Sequence, residues 1–135
     1  MSVNIDVTVC KTSKGYSAHI EDIDGIITTG KTLDEVKENM HKAIEGHIEV
    51  CKEDGDEIPV PLQDAYSLVF KMEVEALLDY YRGIINQSGL SKLTGINIKQ
   101  LNHYATGESK PRYNQVRKIE SSLHKLGQEL IHIKL

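Results

Sequence analysis

Val3, Ile5, Val7 and Val9 alternate with Asn4, Asp6 and Thr8. Residues 3–10 therefore read as a strand with one buried face. Lys11-Thr-Ser-Lys-Gly15 is turn chemistry, and Tyr16, Ala18 and Ile20 resume the alternation, which predicts a hairpin. Glu21-Asp-Ile-Asp-Gly25 is a second turn, leading to a short strand over Ile26–Thr29 that ends at Gly30. The period then changes. Leu33, Val36, Met40, Ala43, Ile44, His47 and Cys51 recur at helical spacing, which predicts one long amphipathic helix stopping near Gly55. Thr32-Leu-Asp-Glu35 is a capping box at its start. Gly46 inside this helix costs about 1 kcal/mol relative to Ala, so the packing face must hold the helix together. After an exit loop with Pro59 and Pro61, Ser67-Leu-Val-Phe-Lys-Met72 reads as a fourth strand.

From Val74 onward the pattern is helical. Val74, Leu77, Leu78, Tyr81 and Ile85 share one side of a helix predicted over 74–86. Two short helices follow, Gln87–Thr94 and Asn97–Ala105, across a tight turn at Gly95-Ile96. Tyr113, Val116, Ile119, Leu123 and Leu126 mark a closing helix that begins just after Pro111 and ends at Gly127. In the tail, Ile131, Ile133 and Leu135 alternate like a strand. Such a strand needs a partner edge, either in a second copy or in its own chain. The pattern predicts an α+β fold in two domains: residues 1–74, a small sheet with its helix on one face, and residues 75–135, all helical with a C-terminal strand.

The chain has 135 residues, 39% hydrophobic and 27% charged, as expected of a globular protein. Either half alone is marginal in size, which favours oligomerisation. No apolar run approaches a membrane span, and the first residues lack the features of a signal peptide. Two cysteines, Cys10 and Cys51, form no framework and no CxxC, and the expected setting is reducing cytoplasm.

Charge changes the picture. Residues 1–74 hold 7 Lys/Arg against 15 Asp/Glu, net −8, and residues 75–135 hold 9 against 5, net +4. The basic half suits phosphate; the acidic half would be repelled by nucleic acid and suits a basic partner or a merely solvated surface. Catalysis finds no support. Asp22 and Asp24 could meet a divalent ion only with a third acid that the spacing does not place. The six histidines offer no ligand spacing, and no nucleophile elbow, phosphate loop or dinucleotide fingerprint is present. No enzyme activity, metal or cofactor is expected.

The two-helix stretch points elsewhere. Small Ser91, then Gly95, then apolar Leu101 have the spacing of a helix-turn-helix, whose second helix enters the DNA major groove. On that helix Asn97, Lys99, Gln100 and His103 are polar: Asn and Gln suit adenine edges, Lys suits guanine. Lys110, Arg112, Tyr113 and Asn114 cluster around the start of the closing helix, where side chains and free backbone N–H groups can hold phosphate. A small helical domain with an ordinary polar surface is the plainer alternative.

Two resemblances rest on these residues. Gln87-Ser-Gly-Leu-Ser-Lys-Leu-Thr-Gly-Ile, with Leu101 through Pro111 and Ile119 to Leu123, resembles the lambda-repressor-like (Xre-type) DNA-binding domain. That resemblance implies a dimer on double-stranded operator DNA and a phosphate contact by Gln87; the family usually has alanine where Ser91 stands. Tyr16-x-Ala18, the acidic turn Asp22 to Gly25, and Gly30-x-Thr32-x-x-Glu35 opening a helix resemble the HicB antitoxins. This second resemblance implies a partial RNase H-like ββ(β)αβ domain without that fold's catalytic acids. It also implies a HicA-like RNA-cleaving toxin as partner, met around Tyr16, His19, Glu21, Asp22 and Asp24. A stand-alone transcriptional regulator that senses a small ligand through residues 1–74 is the alternative from a different class.

Overall fold

A computed structural model describes residues 2–135. The chain divides into two compact units between Ala76 and Leu77, two residues beyond the boundary read from the pattern.

In the first unit β1 (Val3–Lys11), β2 (Tyr16–Ile20) and β3 (Ile27–Gly30) form an antiparallel meander, followed by α1 (Leu33–Asp54) and β4 (Tyr66–Met72). The sheet order is β3-β2-β1-β4, with β4 parallel to β1. The register places Val7 opposite Ile20, Val9 opposite Ala18 and Lys11 opposite Tyr16. Since side chains alternate across a strand, Ile5, Val7, Val9, Tyr16, Ala18 and Ile20 share one face. They pack with Leu33, Val36, Met40 and Ile44 of α1 into one core. The Thr32 half of the capping box is in place: its hydroxyl accepts from the Glu35 amide at 3.1 Å. At the far end Gly55, in the left-handed region at φ 71°, closes α1. The exit loop holds one 3-10 turn, Val60–Leu62, which buries Leu62.

Gly30 has a steric reason to be glycine. A Cβ there would lie 2.8 Å from both the Val36 amide nitrogen and a Val36 methyl, and a Cβ on Gly15 would strike the Gly30 carbonyl. These two glycines let the β2 hairpin and the end of β3 close onto the first turn of α1. The Gly30-x-Thr32-x-x-Glu35 pattern is therefore a strand-to-helix junction in which one residue must be small and another must cap.

The second unit contains the end of α2 (Val74–Tyr80), then α3 (Gln87–Thr94), α4 (Ile98–Thr106) and α5 (Tyr113–Ile131). Three expectations are corrected here. The helix predicted over 74–86 stops at Tyr80 and continues as isolated turns, because Gly83 adopts φ 90° and turns the backbone out of the helix, leaving Ile84 exposed. The closing helix does not end at Gly127, and the tail is not a strand. Instead α5 runs through Gly127 to Ile131, capped by His132, whose backbone N–H donates to the Glu129 and Leu130 carbonyls. Leu123, Leu126 and Leu130 continue a helical period through the segment, and each residue added to a helix gains its own hydrogen bond. Among the described residues the second unit holds no strand to offer the edge that the alternating tail requires.

Candidate nucleic-acid interface and acidic surface

The pair α3–α4 is held by a chain of local hydrogen bonds. Asn86 caps α3 by accepting from the Gly89 amide at 2.7 Å. Gly95 ends α3 at φ 76°, and its N–H donates to the Ser91 carbonyl at 2.8 Å. The Ser91 hydroxyl reaches across the turn and donates to the Ile96 carbonyl at 2.6 Å. Buried Thr94 donates to the Leu90 carbonyl at 2.7 Å and accepts from the Ile96 amide at 3.1 Å. Asn97 starts α4 by accepting from the Lys99 amide at 2.8 Å. Leu90, Ile96, Leu101, Tyr104 and Ile119 are buried, and α3 contacts both α4 and α5. The small–glycine–apolar spacing thus does what its chemistry suggests: a hydroxyl and a left-handed glycine fix the turn, and Leu101 anchors α4.

The polar residues of α4 are not equivalent. At 100° per residue, Ile98, Lys99, Asn102 and Thr106 share one face, and all four are exposed. Gln100 and His103 lie to the side of it and are half-buried. Gln100 Nε2 donates to Ser109 Oγ at 3.2 Å, and His103 Nε2 lies 3.0 Å from a Glu108 carboxylate oxygen. Both are tied to the loop after α4. Asn97 is exposed, but its side-chain oxygen serves the cap. Asn102 was not among the residues singled out from the sequence; its position three residues after Lys99, and one after anchored Leu101, is the signal that finds it.

Around these helices Lys110, Arg112, Tyr113 and Asn114 are exposed where α5 begins. Arg112 occupies the N-cap position of α5 without a side-chain capping bond. The Arg117 guanidinium stacks over the Tyr113 ring at 5.5 Å and pairs with Glu120 at 2.8 Å. Gln87 is the first residue of α3 and half-buried. Residues 77–135 carry 9 Lys/Arg against 4 Asp/Glu, so this surface has a positive balance.

The first unit has the opposite sign, with 7 Lys/Arg against 16 Asp/Glu over residues 1–76. In the turn after β2, Ile23 and Ile26 are buried while Asp22 and Asp24 are exposed, and Gly25 takes φ 85°. The apolar residues pin the turn and leave the alternating carboxylates in solvent. Glu21 accepts from the Thr8 hydroxyl at 3.2 Å. His19 lies opposite Thr8 and Ile27 on the sheet face away from α1, where Lys71 pairs with Asp6 at 2.9 Å. Tyr16 is placed differently from these four. It is only 7% exposed and belongs to the core, with the Lys11 ammonium 5.9 Å from its ring centre. Of the residues assigned to the acidic surface, Glu21, Asp22 and Asp24 are exposed and His19 is half-buried, whereas Tyr16 lies in the core.

Among the described residues no group of three or more His, Cys, Asp or Glu is arranged to hold a metal ion, and no helix is long and apolar enough to cross a membrane. Residues 6–59, from within β1 to the loop after α1, match the UPF0150-like family. The match lies wholly within the first unit and spans less than half of the chain. A search of curated proteins returns no match to the chain.

Proposed function

We propose that this chain is an antitoxin with two tasks: its first unit binds and neutralises a HicA-like mRNA-cleaving toxin, and its second unit represses the chain's own operon by sequence-specific DNA binding. The observation that carries the reading is the UPF0150-like match over residues 6–59, since that family is typically found in HicB-like antitoxins. The α3–α4 pair, on a unit of opposite charge, supports the second task. In this reading the first unit is a partial RNase H-like fold and the second a lambda-repressor-like helix-turn-helix. The protein has no catalytic role, needs no cofactor, works in the cytoplasm and binds operator DNA as a homodimer or higher homo-oligomer.

The physical logic is complementary charge. A ribonuclease must bind a polyanion, so its substrate surface is basic. An acidic unit attracts that surface and competes with RNA for it. Asp22 and Asp24, held outward by buried Ile23, are the side chains first met by such a partner. On the DNA side, α4 presents Lys99 and Asn102 with Ile98 to base edges, where the Ile98 methyl groups suit a thymine methyl. Lys110, Arg112, Tyr113, Asn114 and Gln87 then hold phosphates on either side.

Co-expression with a short basic reading frame next to this gene tests the first task. Growth restored by the full chain, with a complex on a sizing column, is the expected result. Operator binding by the purified chain, weakening as salt rises, tests the second. A single-gene context with ligand-dependent operator affinity would favour the small-ligand regulator instead.

A further inference from the structure

The loop between α4 and α5, residues 107–112, is fastened to α4 at three points. Gln100 Nε2 donates to Ser109 Oγ at 3.2 Å, and His103 Nε2 faces a Glu108 carboxylate oxygen at 3.0 Å. The Ser109 amide donates to the His103 carbonyl at 3.3 Å. Gly107, at φ 79°, turns the chain out of α4, and the three ties then hold it against the helix it has just left. At its other end the loop runs into α5, which starts at Tyr113 and is anchored by buried Ile119. Lys110 and Arg112 are exposed between these two anchors, on either side of half-buried Pro111. Only those three residues separate Ser109 from Tyr113, and the proline fixes one of their φ angles. The two cations therefore have little backbone freedom.

We infer that Gln100 and His103 are positioning residues for DNA: they hold the loop so that Lys110 and Arg112 meet backbone phosphates at a fixed offset from Lys99 and Asn102, which meet bases. This rests on the DNA-binding part of the proposal above and puts its two kinds of contact on one frame. Neither Gln100 nor His103 lies on the exposed face formed by Ile98, Lys99, Asn102 and Thr106, and each spends its side chain on the loop. Phosphate contacts set the register of a protein on the duplex, and base contacts read sequence within that register. A loop untied from α4 would still attract phosphate, but binding would then have to order it, at a cost in affinity.

The Glu108 tie has an electrostatic side as well. Its carboxylate lies two residues from Lys110 and would oppose a phosphate held there. His103 gives one carboxylate oxygen a partner on α4, which directs that oxygen toward the helix.

The test is fluorescence anisotropy of the full chain on two duplexes of equal length, across a salt series. One duplex carries the sequence upstream of its own gene and the other an unrelated sequence. Gln100→Ala and Ser109→Ala should each weaken binding to both duplexes alike, by about three- to tenfold, with a shallower salt dependence. The double variant should be no weaker than either single, because both remove the same bond. His103→Ala should behave in the same way, and His103→Gln, whose amide can still donate to Glu108, should recover most of the loss. Asn102→Ala, the reference reader, should lose affinity for the upstream duplex alone. Ser109→Ala leaves α4 untouched, so it carries the test should Gln100→Ala unfold the helix, which thermal melts reveal. A loss confined to the upstream duplex would make Gln100 a base reader and overturn this inference while keeping the DNA reading. Unchanged affinity, or a loss with the wild-type salt dependence, would overturn it too. A wild-type chain that binds neither duplex would overturn both.

Discussion

The hydroxyl of Ser91 donates to the carbonyl of Ile96 at 2.6 Å, tying the last turn of α3 to the residue that enters α4. Under the proposed lambda-repressor-like reading, alanine is the usual residue at this position. Here the side chain is still small enough for the helices to approach, and it adds a bond that closes the turn around Gly95. Ser91→Ala should destabilise the protein by about 1 kcal/mol. Gly95→Ala should cost about 1–2 kcal/mol, since a Cβ there meets nothing within 4 Å and the penalty lies in the left-handed backbone alone. Urea denaturation followed by circular dichroism measures both; a neutral Gly95→Ala would contradict the turn geometry.

The Gly30 junction makes a separate prediction for the first unit. Gly30→Ala forces a Cβ against the Val36 amide and methyl, which α1 cannot yield without leaving its cap. A loss of about 1–3 kcal/mol is expected. Gly46→Ala, in open space on the same helix, should instead stabilise by up to about 1 kcal/mol. Opposite signs for the two glycines in thermal melts are the diagnostic outcome.

For DNA, the geometry of α4 ranks the polar residues of that helix. Lys99→Ala and Asn102→Ala should each weaken operator binding by about 1–3 kcal/mol if they meet base edges. Gln100→Ala should have the smaller effect, because its amide is held by Ser109. Mobility shifts at two salt concentrations measure the order. A dominant Gln100 effect would mean that the loop after α4 releases it on binding.

Much of this organisation is legible in the chain because it rests on local chemistry. The alternation of Val3 to Val9, the Thr32 cap and the Ser91–Gly95–Leu101 spacing each act within a few residues, and the structure places them as their chemistry demands. Where the structure departs from the pattern, the cause lies farther along the chain. Leu77, Leu78, Tyr81 and Ile85 keep helical spacing across Gly83, so periodicity could not reveal that this glycine turns the chain. The alternating tail carries both a strand pattern and, through Leu123, Leu126 and Leu130, a helical one. The absence of an edge within the unit decides between them. Gln100 and His103 look like readers in a list of polar residues. Their partners Ser109 and Glu108, five to nine positions away, turn them toward a loop.

The acidic turn yields a kinetic prediction. Asp22→Asn with Asp24→Asn removes two exposed charges beside buried Ile23, so stability should change by no more than about 0.5 kcal/mol. Association with a basic toxin should slow, and its dependence on ionic strength should fall. Stopped-flow binding at low and physiological salt separates this effect from unfolding. Equal rates for variant and wild type would move the encounter surface away from the turn.

The antitoxin proposal is tested by co-expressing the full chain with the product of any short basic reading frame beside its gene, in a host whose growth that product arrests, followed by sizing of the purified mixture. Restored growth and a single co-eluting complex that no longer cleaves RNA are the expected result. Persistent arrest, with the two proteins eluting apart, would contradict it.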